Sequence, residues 1–91
     1  MLKGLLNRKA TSKVVLYTTP TCSDCRALKA WLEAKGIAYE ERDLTDPKVM
    51  EEAKQKYGVR VAPITVIGKE FFYGTFPEQR PKIARLLKLE G

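Results

Sequence analysis

The stretch Val14-Val15-Leu16-Tyr17, followed at once by Thr18-Thr19-Pro20-Thr21-Cys22-Ser23-Asp24-Cys25, constrains the fold more than any other part of the chain. Four consecutive apolar residues fit a strand buried on both faces. Cys25, Leu28 and Leu32 then recur at helical spacing with Trp31 beside them, while Arg26, Lys29, Glu33 and Lys35 take other faces. Gly36 suits the position just past a helix end. The two cysteines therefore sit where a central strand turns into a helix.

That placement points to chemistry. The first turn of a helix presents unpaired N–H groups and the positive end of the dipole, and both favour a thiolate over a thiol. Cys22 is the candidate nucleophile. Arg26, one turn on, and Lys29 add positive potential, and Asp24 opposes it. Cys25 shares a face with Leu28 and Leu32 and is expected to turn inward. The pair predicts a dithiol reaction in which Cys22 attacks a substrate disulfide and Cys25 then displaces the reduced product, leaving the chain oxidised. A structural disulfide is disfavoured, because so short a loop removes little unfolded-state entropy and the chain has only two cysteines. A metal site is half built, since the chain has no His and a structural zinc takes four ligands.

The remaining chain is read in order. Residues 37–44 have mixed polarity and suit an edge strand parallel to the first. Asp46 and Pro47 are a cap and a first-turn proline, and Val49, Met50, Ala53 and Tyr57 share one face of a helix that Gly58 ends. Ile64-Thr65-Val66-Ile67 and Glu70-Phe71-Phe72-Tyr73 form a hairpin around Gly68-Lys69. Ile83, Leu86 and Leu87 mark a last helix. Thr75 and Glu78 have capping-box spacing, but Pro81 would then fall inside the helix, so its regular part is expected to begin near Pro81. The order βαβαββα predicts an α/β fold, a four-stranded mixed sheet flanked by helices on both faces.

At 91 residues the chain is one domain, expected over residues 13–91. Before it, residues 1–12 carry Leu2, Leu5 and Leu6 among Lys3, Arg8 and Lys9, a short basic amphipathic turn or a frayed end. Neither a secretory signal nor a membrane-spanning run is legible, and no membrane partner is expected. Seventeen Lys and Arg against eleven Asp and Glu give a net charge of +6. These charges are interleaved, with no basic block beside stacking aromatics, so nucleic acid is not an expected partner. Positive charge instead steers an acidic partner protein. No obligate interface is legible, and a monomer is expected.

Over roughly residues 13 to 89 the sequence resembles a glutaredoxin-type member of the thioredoxin fold. The features that carry the resemblance are Tyr17 to Cys25, the segment Tyr57-Gly58-Val59-Arg60-Val61-Ala62-Pro63-Ile64-Thr65-Val66, and Gly74 after the hairpin. The resemblance implies a thioredoxin-like three-layer sandwich. It implies a cytoplasmic thiol-disulfide oxidoreductase, an electron carrier serving cell redox homeostasis, with Cys22 and Cys25 catalytic, no metal, and no cofactor beyond its redox-active disulfide. It further implies that Pro63 is cis beside the cysteines, that Ala62 offers its backbone to an extended substrate, and that Arg60 and Val61 flank that groove. Pro20, Thr21, Ser23, Asp24, Gly74 and Thr75 complete the implied substrate-binding set.

The sequence departs from glutathione-using glutaredoxins. Ser23-Asp24 stands where they commonly have Pro-Tyr, Ala62 where they have Val, and Gly74 where they have two glycines. Asp24 also sets a negative charge against that of glutathione. The late loop is more similar to the NrdH-type hydrogen donors of ribonucleotide reductase, aligned through Pro77-Glu78 or through Arg80-Pro81. Protein disulfides, ribonucleotide reductase among them, are the implied substrates, with thioredoxin reductase or glutathione as reductant. The alternative is a metal-binding or iron-sulfur module using Cys22, with or without Cys25. A ferredoxin-like metal carrier is disfavoured, because that fold runs βαββαβ and ends on a strand. Arsenate reductases of this fold usually lack the second cysteine.

Overall fold

The computed structural model describes residues 13–88. Its elements are β1 (Val14–Thr18), α1 (Ser23–Ala34), β2 (Glu40–Asp43), α2 (Pro47–Tyr57), β3 (Ile64–Ile67), β4 (Glu70–Tyr73) and α3 (Phe76–Leu87). The strands lie in the order β2-β1-β3-β4. β2 runs parallel to β1, and the other two pairings are antiparallel. The expected amphipathic turn over residues 1–12 lies outside the described residues.

Alternation along the central strands builds two cores. Val14 and Leu16 of β1 and Ile67 of β3 point to one face and pack with Leu28 and Leu32 of α1 and Ile83 of α3. Tyr17, Ile64 and Val66 point to the other and meet Val49 and Ala53 of α2, with Leu44 and Val59. Leu16, Leu28 and Leu32 are wholly removed from water, a contribution of about 2 kcal/mol each. Covering both faces explains why β1 reads as a continuous apolar run.

Two boundaries differ from the sequence reading. The edge strand β2 is confined to residues 40–43, paired with 15–18. Ile37 cannot join it, because its N–H goes to the Leu32 carbonyl at 2.9 Å while the Gly36 N–H goes to Glu33 at 3.0 Å, the paired bonds that close a helix end.

The second correction is at α3, which begins at Phe76, not near Pro81, and carries Pro81 inside. The Thr75 hydroxyl accepts the Glu78 N–H at 3.3 Å and the Glu78 carboxylate accepts the Thr75 N–H at 2.8 Å. That reciprocal cap, with the buried hydrogen bonds of Gln79 in the next position, offsets the roughly 3 kcal/mol that an interior proline costs a helix. Elsewhere the local signals hold. Asp46 caps α2 ahead of Pro47, and Gly68 turns the hairpin with φ 61°. Among the described residues, no helix is long and apolar enough to cross a membrane.

Candidate active site

Strand register assembles the site. Thr18 lies opposite Asp43, and Tyr17, Ile64 and Tyr73 lie in line across β1, β3 and β4. The segments that follow Thr18, precede Ile64 and follow Tyr73 therefore emerge at one end of the sheet. These are the cysteine turn, the Arg60–Pro63 segment and the Gly74 loop.

Cys22 is the N-cap of α1, with extended backbone, and its Sγ accepts the Cys25 N–H at 3.0 Å. Sulfur thus takes the place that a Ser or Asp oxygen holds at ordinary helix starts. Cys22 is half-buried, whereas Cys25 is 1% exposed beneath it. The two are joined as a disulfide with Cα atoms 5.2 Å apart, within the range that such a bond requires. One sulfur is presented and the other shielded, as the dithiol reaction needs.

A cavity of about 510 Å³ opens beside Cys25, with Thr18, Arg26, Lys29 and Glu41 on its walls. Thr18 Oγ1 donates to Glu41 at 2.6 Å and Lys29 Nζ donates to the same oxygen at 3.0 Å. The Thr18 hydrogen bond first, and Lys29 second, hold the Glu41 carboxyl below the usual range. Lys29 is therefore paired with a carboxylate, which offsets part of the positive potential it brings to the cysteine turn. Arg26 is exposed on the cavity rim.

Around the pair, Pro20, Thr21 and Ser23 are exposed. Asp24 is half-buried, and its Oδ1 accepts the Phe76 N–H at 3.1 Å, tying the cysteine turn to the start of α3. The Ala62–Pro63 peptide bond is cis. Pro63 is buried and Ala62 half-buried, while Arg60 is exposed and Val61 57% exposed beside them. Gly74 is half-buried, and the Thr75 N–H and hydroxyl are both engaged by Glu78.

The residue that holds these loops together was not singled out from sequence. Gln79 is 1% exposed. Its Nε2 donates to the Pro63 and Gly74 carbonyls at 2.9 Å each, and its Oε1 accepts the Thr65 hydroxyl at 2.6 Å. The available signal was its spacing. Gln79 precedes Ile83 by four residues and so lies on the buried stripe of α3, where an amide needs partners.

A family model for glutaredoxin matches residues 14–72. The chain belongs to the glutaredoxin family. This glutaredoxin-family chain is 30% identical to a point mutant of the thioredoxin-like protein BC3987, covering 86% of this chain and 97% of that one with a TM-score of 0.77. With Escherichia coli NrdH-redoxin it shares the fold, at 24% identity, a TM-score of 0.64 and coverage of 78% and 93%. It is also 46% identical over 43 residues to the global transcriptional regulator Spx of Lactiplantibacillus plantarum, 46% of this chain. The chain spans about a third of the length of that regulator. Among the described residues, no three His, Cys, Asp or Glu side chains gather where they could hold a metal ion.

Proposed function

We propose that the protein is a cytoplasmic dithiol-disulfide oxidoreductase that reduces protein disulfides. The observation that carries the reading is the asymmetry of the pair, with Cys22 Sγ at the helix cap and Cys25 buried behind it. The Cys22 thiolate attacks one sulfur of a substrate disulfide, and the other sulfur leaves as a thiolate that takes up a proton. Cys25, deprotonated, then attacks Cys22 Sγ and expels the second substrate thiol. Two electrons and two protons reach the substrate, and the Cys22–Cys25 disulfide remains. An external reductant, thioredoxin reductase or glutathione, restores the dithiol.

The reading is tested by following NADPH oxidation with a disulfide substrate, supplying electrons through thioredoxin reductase or through glutathione and glutathione reductase. Turnover is expected from the native chain and none from Cys22→Ser. Turnover by Cys22→Ser would overturn the assignment of the nucleophile.

The 46% identity to Spx favours a second reading, in which the same pair is a redox sensor within a regulator. A sensor would cycle once per oxidation and would not sustain NADPH-linked turnover.

A further inference from the structure

The N-terminus of α3 lies against the cysteine turn through Asp24 and Phe76. A helix start of this kind, with free N–H groups and the positive dipole end, attracts carboxylates and phosphates. Here each N–H is spent within the chain. The Thr75 N–H goes to Glu78 Oε1 at 2.8 Å, the Phe76 N–H to Asp24 Oδ1 at 3.1 Å, and the Glu78 N–H to Thr75. Pro77 has none to offer. Two of the three partners are the chain's own carboxylates.

We propose that Asp24 and Glu78 close this helix end against thiols that carry a free carboxylate, glutathione among them, and so select a reductant that approaches Cys22 without one. Resting on the dithiol reading, this makes Asp24 a specificity residue for the step that regenerates the enzyme. An incoming carboxylate would have to displace Asp24 from the Phe76 N–H or Glu78 from Thr75, and the displaced group would stay beside it as a like charge. Asp24 stands between the cysteines in the chain and ties their turn to this helix end, so a thiol joined to Cys22 is held next to the same turn. Gly74 supports the arrangement, because a Cβ there would lie 2.5 Å from Glu78 Oε1. Its bare backbone leaves room for Glu78 to fold back over the loop.

The step concerned is the return of the disulfide to the dithiol. One glutathione thiolate attacks Cys22 Sγ and expels Cys25, which takes up the proton. A second attacks the glutathionyl sulfur and releases glutathione disulfide, leaving Cys22 as thiolate. The test compares the rate of this reduction with that by dithiothreitol, which has no carboxylate, in the native chain, Asp24→Ala and Asp24→Asn. The ratio of the two rates removes any general change in reactivity of the disulfide.

Asp24→Ala is expected to raise that ratio about tenfold, the scale of one charge-assisted hydrogen bond regained by the ligand. Asp24→Asn, whose amide oxygen still occupies the Phe76 N–H, is expected to raise it less. Glutathione diethyl ester should gain nothing from either change. An unchanged ratio in Asp24→Ala, or an equal gain with the ester, overturns the proposal. If Asp24→Ala does not fold, a titration of the oxidised native chain with S-methylglutathione decides. Unmoved Thr75 and Phe76 amide resonances are expected, and a saturable shift overturns it. Failure of the dithiol reading would look different, as a native chain that dithiothreitol reduces but that then cleaves no substrate disulfide.

Discussion

Gln79 donates its side-chain amide to the carbonyl oxygen of Pro63 at 2.9 Å, joining α3 to the residue that opens β3. The same amide nitrogen reaches Gly74, and the amide oxygen takes the Thr65 hydroxyl. One buried side chain thus fixes two of the three loops that border the disulfide. Asp24 fixes the third by its bond to Phe76.

Replacing Gln79 by Leu keeps most of its volume but strands a hydroxyl and two carbonyls. The expected loss is about 3 kcal/mol, since each buried polar group left unpaired costs about 1 kcal/mol or more. Urea unfolding should show a lower midpoint with an unchanged slope. A loss below about 0.5 kcal/mol would mean that water replaces the amide.

Gly74→Ala places a methyl group where Glu78 Oε1 now lies, on a backbone with φ 117°. The expected cost is about 2 kcal/mol, part of it strain in a region that side chains rarely adopt and part the broken cap. Glu78→Ala removes the obstructing carboxylate, so in the double variant the two losses should sum to less than their separate values. Strict additivity in a double-mutant cycle would show that Glu78 is not what the methyl group meets.

Stability should fall in acid through Glu52. Its carboxylate accepts the Tyr17 hydroxyl at 2.5 Å and Arg42 Nη2 at 2.7 Å, and the Tyr17 bond first, with the Arg42 charge, holds its carboxyl below the ordinary range. A folded value below the unfolded one gives stability that is present above about pH 4.3 and is lost as pH falls through the folded value. Burial, then the bond to Glu52, pushes the Tyr17 phenol up. That contribution has the opposite sense, present below about pH 10 and lost as pH rises beyond it. Glu52→Gln should cost about 1 kcal/mol at neutral pH and flatten the acid limb of urea midpoint against pH. An acid limb as steep as that of the native chain would assign it to other carboxylates.

The element order was legible because it rests on short-range patterns. The run Val14 to Tyr17, the Asp46-Pro47 start and the Gly68-Lys69 turn each carry their own signal. The start of α3 was misread because Pro81 is a local sign of a helix boundary, whereas what overrides it is partly non-local, the Gln79 bonds to Pro63 and Thr65. The extent of β2 was overestimated because the Ile37 N–H belongs to the end of α1, which its polarity does not reveal. At the site, the inward turn of Cys25 followed from its spacing with Leu28 and Leu32. The partner of Asp24 did not, since Phe76 is 52 residues away and only the packing of α1 and α3 brings them together.

The most direct test of the account traps the intermediate. Cys25→Ser, incubated with a disulfide substrate and quenched in acid, is examined by mass spectrometry of the intact chain and its peptides. The account predicts a stable adduct, one substrate thiol joined to Cys22, and no adduct on Cys25 in the Cys22→Ser chain. An adduct that forms equally on Cys25 in Cys22→Ser, or none on Cys22, would contradict it.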